Sequence, residues 1–339
     1  MKLPQDSRKF LLGIDTGTSK THALVSTCTG TVVGFGEAGC GNYEVVGLDG
    51  FKDAIREATH QALTMGGIKK NEIAGMGLGI SGYDWPSEEL LMIEAIQALG
   101  IECDYRFEND VTIGLIAGSS AGWGVAVDAG TGNNVRGRDP VGRIGRITGN
   151  SVYCGEIGGG GEMVWLAQIA VTQAWTLRGP KTLLTQAFMD FAEVESEFDL
   201  IEGLATEQIQ LPPMLAEEIF RLAALGDRVA REIITTSARE LAINVNAVIQ
   251  QLQLQQHNFD LVLIGSIFKA GETYLDPFRQ TVHAFAPGAN LVLLSVPPVV
   301  GAVLLAAEVV GILLHELRGA VIDSLQQFEG HHQNDTENS

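Results

Sequence analysis

The chain has 339 residues, of which 45% are hydrophobic and 19% charged, a balance that is typical of a globular protein and excludes an intrinsically disordered chain. Asp and Glu number 41 against 22 Lys and Arg, so the formal net charge is −19. This acidity argues against nucleic acid or an anionic membrane as a partner, because both are bound through basic patches. A nucleotide stays possible, since backbone amides and a metal ion can supply positive charge.

The termini and the cysteines indicate a cytoplasmic protein. The first residues lack the apolar stretch of a signal peptide, and the 4 cysteines are scattered without a C-x-x-C pair, as suits a reducing compartment. Residues 296–314 resemble a membrane span, but two prolines and Glu308 interrupt them, so we expect a buried helix and no membrane partner. We expect the polar tail, 326–339, to be disordered.

The first part of the chain alternates strands and helices in the order βββ-α-β-α-β-α. In chain order, the predicted elements are strands at 10–14, 22–26 and 31–35, a helix at 52–65, a strand at 73–80, a helix at 87–99, a strand at 103–107 and a helix at 111–117. The strand at 73–80 is apolar throughout, which predicts that it is buried on both faces.

The same order then begins again. A predicted strand at 123–128 ends in D-A-G-T, as the first strand of the chain ends in D-T-G-T. A long helical stretch follows at about 162–255, and its last part has the apolar spacing of one amphipathic helix from 227 onward. Buried strands are predicted at 261–264 and 291–295, each followed by a helix.

The repeated Asp-x-Gly-Thr step is the main functional signal. Amides and hydroxyls of such a turn can hold phosphate oxygens, and the Asp can hold Mg²⁺, which keeps much of its water. One copy could be an ordinary turn. Two copies at equivalent places, beginning at Asp15 and Asp128, predict a clamp on one polyphosphate between two domains.

Other motifs leave alternatives open. The G-x-G-x-x-G match at Gly77–Gly82 follows a strand, so a dinucleotide site is an alternative, although its glycines begin inside the strand. Asp110 follows Asn109 at a strand-to-helix junction, where it could cap the helix or accept a proton from a substrate hydroxyl. The glycines at 158–161 predict either a flexible linker or a loop that approaches a ligand closely.

Four arginines fall within eleven residues of this acidic chain: Arg136, Arg138, Arg143 and Arg146. They could lie on a solvated hairpin, or they could bind an anionic group of a substrate.

In this order, the motifs resemble those of the BadF/BadG/BcrA/BcrD ATPase family, which includes the N-acetylglucosamine kinases and belongs to the actin–Hsp70–sugar kinase superfamily. The resemblance covers roughly residues 10–316. G-I-D-T-G-T-S-K-T at 13–21 looks like the phosphate-1 loop, and V-D-A-G-T-G-N-N at 127–134 looks like the phosphate-2 loop. L-V-L-I-G-S at 261–266 looks like the adenosine motif, and P-P-V-V-G-A at 297–302 looks like the closing helix.

The resemblance implies an α/β fold of two ribonuclease H-like, actin-like ATPase lobes. Each lobe would be a mixed five-stranded sheet with flanking helices, and ATP would bind in the cleft between them. The N-terminal lobe, 8–116, would carry the phosphate-1 loop and the sugar side. The C-terminal lobe, 117–318, would carry the other two motifs and a helical insertion at about 162–255. A homodimer is a further family expectation.

The resemblance also implies roles for individual residues. Asp110 would take the proton from the sugar hydroxyl, and Asp15 and Asp128 would hold Mg²⁺. The residues expected to bind ATP are Asp15, Thr16, Gly17, Thr18, Ser19, Lys20, Gly130, Thr131, Gly132, Asn133, Asn134, Gly265 and Ser266. The residues expected to bind the sugar are Asn42, Asp84, Asn109 and Glu156.

The sequence departs from the N-acetylglucosamine kinases at 139–161, where Y-C-G-E-I-G-G-G-G stands in place of a G-D-E-G-S-G type stretch. Glu156 would take the place of an acidic sugar contact there, so the acceptor is open, with N-acetylglucosamine as the first candidate. Two other functions stay open. One is an ATPase that activates a partner reductase or dehydratase, a family branch whose cysteine signature we do not find. The other is a nucleotide-binding module without catalysis.

Overall fold

A computed structural model describes the backbone of residues 9–337 and the side chains of residues 9–328. The first half of the described chain comprises β1 (Phe10–Thr16), β2 (Thr21–Thr27), β3 (Val32–Ala38), α1 (Tyr43–Gly66), β4 (Ile73–Ile80), α2 (Glu89–Gln97), β5 (Asp104–Asn109) and α3 (Asp110–Gly118). The second half comprises β6 (Gly124–Ala129), β7 (Asn133–Arg138), β8 (Ile144–Arg146), α4 (Gly160–Trp175), α5 (Leu184–Ala192), α6 (Glu197–Ala205), α7 (Ala216–Ala224), α8 (Arg228–Leu252), β9 (Phe259–Ile264), α9 (Glu272–Phe285), β10 (Ala289–Leu293), α10 (Val299–Val309) and α11 (Leu314–Glu337).

The strands form two five-stranded sheets of the same design, with orders β3-β2-β1-β4-β5 and β10-β9-β6-β7-β8. In each sheet the central strand, β1 or β6, is antiparallel to the strand that follows it and parallel to its other neighbour, β4 or β9. The predicted fold of two mixed five-stranded sheets is therefore confirmed. The second hairpin, β7 and β8, is an element that the sequence did not predict in detail.

The parallel strands bring the ends of separate chain segments to one edge of each sheet. In the first sheet Thr16 pairs with Ile80, and Ile80 pairs with Asn109, so the residues that follow β1, β4 and β5 are neighbours. In the second sheet Asp128 pairs with Ile264, which places the end of β6 beside the turn after β9. Ligands of open α/β sheets bind at this carboxyl edge.

Two helices lie between the sheets, and each packs on the sheet of the other half. The face of the first sheet that carries Leu11 and Leu24 packs against α10, which comes from the end of the chain. The face of the second sheet that carries Ala126 and Val262 packs against α3, which comes from the first half. The outer faces are covered by α1 and α2 on one side and by a core of helices that includes α4, α8 and α9 on the other.

The helices α10 and α11 pack with the first sheet, whereas residues up to 318 were predicted to lie in the C-terminal lobe. The buried helix predicted within 296–314 is confirmed, since every residue from Val299 to Ala307 is buried. It is apolar on all sides because the sheet and α3 cover it together. Among the described residues, no helix is both long and apolar enough to cross a membrane.

The glycines at 77–82 serve this packing. A Cβ on Gly77 would lie 2.1 Å from the carbonyl oxygen of Ala302 in α10, and one on Gly79 would lie 2.1 Å from Ile113 in α3. These positions require glycine because helices lie against the strand there. Helix packing thus accounts for Gly77 and Gly79, and Gly82 has φ = +85° in the turn after β4, so the spacing does not require the dinucleotide site that the sequence left open.

The C-terminal tail also differs from the prediction. Disorder was predicted over 326–339, but α11 continues through Glu337, and the last two residues lie outside the described chain. Leu317, Val321 and Leu325 are buried, and Phe328 packs against the same apolar cluster one turn further. This stripe at helical spacing holds the start of the tail to the first lobe.

The crossing of α3 and α10 gives a stability prediction. A Cβ on Gly301 would lie 1.9 Å from the carbonyl oxygen of Ile113, so Gly301→Ala must push the helices apart. We expect a loss of about 1–3 kcal/mol in the free energy of unfolding, measured in urea. The matched control is Gly319→Ala in α11, where nothing lies within 4 Å of the added Cβ. It should be neutral or stabilising by about 0.5–1 kcal/mol, and an equal effect of both substitutions would contradict this close crossing.

Candidate active site

Asp110 begins α3 at the carboxyl edge of the first sheet, and its neighbours hold it in place. Val111 N donates to Asp110 Oδ1 at 2.9 Å, and the hydroxyl of Ser81, which follows β4, is hydrogen-bonded to the same carboxyl group. Ser81 is itself fixed, because its amide donates to Thr16 Oγ1 at 3.1 Å and its hydroxyl accepts from Asn42 Nδ2 at 3.3 Å. Segments after three strands therefore orient one carboxylate.

The helix cap that competed with a catalytic role for Asp110 is supplied by its neighbour. Asn109 is the N-cap of α3, and its Oδ1 accepts from Val111 N at 3.0 Å. Burial raises the pKa of Asp110 to about 6, and the negative charge of Asp84 adds to this rise. The hydrogen bonds from Ser81 and Val111 and the charge of Arg136 act in the opposite direction. Asp110 is thus ionised at neutral pH with a pKa suited to a general base.

Asp15 and Asp128 end the central strands of the two sheets and face the same space as Asp110. Burial, and then the charge of Asp110, raises the pKa of Asp15 to about 8 and that of Asp128 to about 7. Two partly buried carboxylates with raised pKa values suit a cation, and carboxylate oxygens are ligands that Mg²⁺ accepts. In the described chain no group of three or more His, Cys, Asp or Glu side chains is placed to hold a metal ion.

The two Asp-x-Gly-Thr hairpins are tight turns with polar groups directed away from the sheet. Gly17 N donates to Lys20 O at 2.9 Å, and Gly130 N donates to Gly132 O at 3.0 Å. Thr18, Ser19, Thr131 and Gly132 are exposed, as groups that hold a phosphate must be before it binds. The Nζ of Lys20, which was predicted to bind ATP, lies 2.8 Å from Glu37 in an exposed ion pair.

The predicted adenosine motif lies beside the second hairpin. Gly265 has φ = +105°, and a Cβ there would lie 2.2 Å from the carbonyl oxygen of Ala129, so only glycine fits this turn. Next to it is a cavity of about 370 Å³, a size typical of small-ligand sites. Its lining includes Gly130, Thr131, Gly160, Ser266 and Lys269.

Asp84 joins the two lobes on the sugar side of the predicted site. Its Oδ1 accepts from Asn109 Nδ2 at 3.3 Å, from Asn134 Nδ2 at 3.4 Å and from the guanidinium of Arg136. Asn109 belongs to the first sheet, whereas the other two donors lie on β7 of the second. Asn134 was predicted to bind ATP, but its amide is engaged by this carboxylate.

Glu156 is buried, and its carboxylate holds the loop before it. Thr148 donates to it through N at 2.6 Å and through Oγ1 at 2.9 Å, and Asn150 N donates at 3.0 Å. Asn133 Nδ2 donates to the carbonyl oxygen of Glu156 at 2.9 Å and lies 3.3 Å from Glu162 Oε2. The carboxylate of Glu156 therefore accepts three hydrogen bonds from residues 148–150.

The four arginines do not converge on one anion site. Arg138 makes two bonds of 3.0 Å to Glu308 of α10, and Arg143 pairs with Asp139 of its own hairpin at 2.5 Å. The guanidinium of Arg146 lies 4.2 Å above the ring of Trp85. Of the two interpretations left open, the solvated hairpin fits Arg143 alone. The contact of Arg136 with Asp84 was not predicted, because nothing in the sequence indicates that β7 lies beside a loop of the other lobe.

Known proteins are similar in sequence to this chain over most of its length. A family model described as the BadF/BadG/BcrA/BcrD ATPase family matches residues 12–306. The N-acetylmuramic acid/N-acetylglucosamine kinase of Clostridium acetobutylicum is 27% identical over 303 residues, which cover 88% of this chain and 98% of the relative. The N-acetyl-D-glucosamine kinase of Dictyostelium discoideum is 28% identical over 313 residues, with the same two coverages.

Solved structures share the fold. A proposed N-acetylglucosamine kinase from Chromobacterium violaceum has a TM-score of 0.68 at 22% identity, covering 88% of this chain and 99% of that one. A ROK family glucokinase from Streptomyces griseus, in complex with glucose and AMPPNP, has a TM-score of 0.52 at 18% identity, covering 88% of this chain and 98% of that one. At these identities the likeness concerns the architecture of two sheets with a cleft.

The raised pKa of Asp128 predicts how stability depends on pH. A pKa raised from 3.8 to about 7 favours the protonated side chain in the folded state, so this contribution is present at low pH and is lost as the pH rises toward 7. In the absence of nucleotide and metal, we expect Asp128→Asn to stabilise the protein at pH 8 by on the order of 2 kcal/mol. Urea unfolding at pH 8 and at pH 4.5 measures the difference, which should shrink at the lower pH.

The control for this substitution is Asp323→Asn, because Asp323 is exposed on α11. It should leave the free energy of unfolding unchanged at both pH values. Destabilisation by Asp128→Asn at pH 8 would mean that the ionised carboxylate is already compensated within the protein.

Proposed function

The chain belongs to the BadF/BadG/BcrA/BcrD ATPase family, and on that premise we propose that it is an ATP-dependent kinase that phosphorylates a hydroxyl of an amino sugar. The observation that carries this proposal is the position of Asp110, which lies close enough to Asp15 of its own lobe and to Asp128 of the other lobe for its charge to raise their pKa values. A base is thus held opposite two phosphate-binding hairpins. Both curated relatives are named N-acetylglucosamine kinases, so N-acetylglucosamine is the first acceptor to test.

ATP is proposed to bind along the edge of the second sheet. The nucleoside would occupy the 370 Å³ cavity beside Gly265 and Ser266, and the phosphates would lie between the hairpins that begin at Thr16 and Gly130. Asp15 and Asp128 would hold Mg²⁺, which supplies neutralising charge at the phosphate oxygens. Of the predicted ATP ligands, Lys20, Asn133 and Asn134 have other partners, so we expect them to contribute less than the backbone amides of the hairpins.

The sugar is proposed to lie at the edge of the first sheet, near Asn42, Asp84, Asn109 and Glu156. Asp110 would accept the proton of the attacking hydroxyl while the γ-phosphoryl group transfers in line. Because the transition state of this reaction is loose, catalysis depends mainly on position and on charge stabilisation. A carboxylate with a pKa of about 6 is therefore a sufficient base.

An activator ATPase and a nucleotide-binding module without catalysis are the alternatives, and no observation favours either over a kinase. A homodimer and a cytoplasmic location stay proposals, supported by the family resemblance and the scattered cysteines. In the described chain no disulfide joins Cys28, Cys40, Cys103 or Cys154.

The direct test is ADP release by purified protein with MgATP, alone and with a panel of neutral and amino sugars. Strong stimulation by N-acetylglucosamine or a related amino sugar supports the kinase. Steady ADP release that no sugar changes would favour the activator ATPase. ATP binding without turnover, measured by calorimetry, would favour the module without catalysis.

Asp110→Asn tests the base with the stimulating sugar. We expect kcat to fall about 100-fold to 10,000-fold, because the amide cannot accept the proton, while the Kd for ATP in calorimetry stays within about threefold. Asp104→Asn is the matched control, since Asp104 is exposed at the start of the strand that leads to Asp110. Near-normal turnover of Asp110→Asn would refute the assignment of the base.

A further inference from the structure

We propose that Arg136 is a positioning residue that closes the cleft on the acceptor sugar by fixing Asp84 of the opposite lobe. The inference rests on the proposed function and extends it to a residue that makes no contact with the nucleotide. Asp84 lies in the loop after β4, and Arg136 lies within β7, so their ion pair spans the lobes.

The pair is buried and shares its carboxylate oxygen with other donors. Arg136 is only 4% exposed, and the amides of Asn109 and Asn134 reach the same Oδ1 of Asp84. Removing two charges from water offsets much of their attraction, so a buried pair is a weak means of stabilising a fold. The pair instead serves to orient Asp84, because the carboxylate is held in one orientation only when donors of both lobes bind it.

The neighbouring residues reinforce the same contact. The amides of Asp84 and Trp85 both donate to Glu88 Oε2, at 2.9 and 2.8 Å, so the loop is held firmly by its own lobe. Arg146 of β8 then covers the ring of Trp85 at 4.2 Å. Two arginines of one hairpin therefore contact two consecutive residues of the other lobe at the rim of the cleft.

Polar groups without partners lie at this contact. In the described chain no hydrogen bond reaches Oδ2 of Asp84, which lies 3.3 Å from the place of a Cβ on Gly149, in the loop that Glu156 holds. Arg136 Nε and Asn134 Oδ1 are buried and have no hydrogen-bond partner. The Asp84 side chain keeps 17% of its surface exposed, so its free acceptor suits a sugar hydroxyl, while Arg136 acts by holding this carboxylate in place.

The test is a double-mutant cycle of Asp84→Asn and Arg136→Gln in the full-length protein, with the sugar that gives the highest turnover. For each single variant we expect kcat/KM for the sugar to fall about 100-fold, as a misplaced contact does. The KM for ATP should change less than about threefold. The double variant should be no more than about threefold worse than either single variant, because the two groups act as one unit.

Two further variants separate position from charge and from folding. Arg136→Lys keeps the charge but loses the planar fork, so we expect partial rescue, to about tenfold below the wild type. Arg143→Gln is the matched control, because Arg143 lies on the same hairpin and pairs within its own lobe, and it should leave both KM values unchanged. The proposal would be overturned if the losses in kcat/KM of the two single variants multiplied in the double variant. It would also be overturned if the variants impaired the use of ATP as much as the use of the sugar.

The same variants distinguish this proposal from the proposed function. If the wild type phosphorylates no sugar of the panel, the kinase proposal fails, and the ion pair is then tested by urea unfolding of the same four proteins. Non-additive free energies of unfolding would support a contact between the lobes. Additive free energies of unfolding would overturn the proposed contact between Asp84 and Arg136, whatever activity the protein has.

Discussion

Three partly buried carboxylates share the space between the lobes, and their mutual repulsion sets the electrostatics of the site. Asp110 faces Asp15 in its own lobe and Asp128 in the other, and it raises the pKa of both. Negative charge concentrated away from water is costly unless a cation or hydrogen-bond donors compensate it. The donors here serve Asp110, which leaves Asp15 and Asp128 suited to a metal ion. The stability of the fold comes instead from the apolar cores on both faces of the sheets.

Much of the fold could be predicted because its signals are local. The strand that ends at Asp15 and the one that ends at Asp128 are apolar runs followed by the same turn, and α8 has a regular apolar stripe over its length. The sheet against which α10 packs could not be predicted, because a helix that is apolar on all sides can be buried against any apolar surface of the protein. The helical tail was missed since residues 326–337 are polar, and only the stripe that ends at Phe328 connects them to the core.

The candidate site divides in the same way. Asp110 and the hairpins belong to motifs, so the resemblance could assign them before any geometry was known. The partners of Lys20, Asn133 and Asn134 lie on other elements, and no spacing in the sequence indicates those contacts. Arg136 shows the limit most clearly. The sequence does not distinguish Arg136 from the other arginines of its hairpin. Its burial against Asp84 follows only from the way in which the two sheets face each other.

The exchange of α3 and α10 between the lobes has a consequence for synthesis. A domain at the start of a chain usually folds as a unit while the ribosome is still adding the rest. Here the face of the first sheet that carries Leu11 and Leu24 is covered by α10, which emerges only after the whole second sheet. The nascent first lobe therefore carries an uncovered apolar surface through most of translation. Its final folding step is the docking of the last helices, so a chain released early would be a substrate for chaperones rather than a smaller working protein.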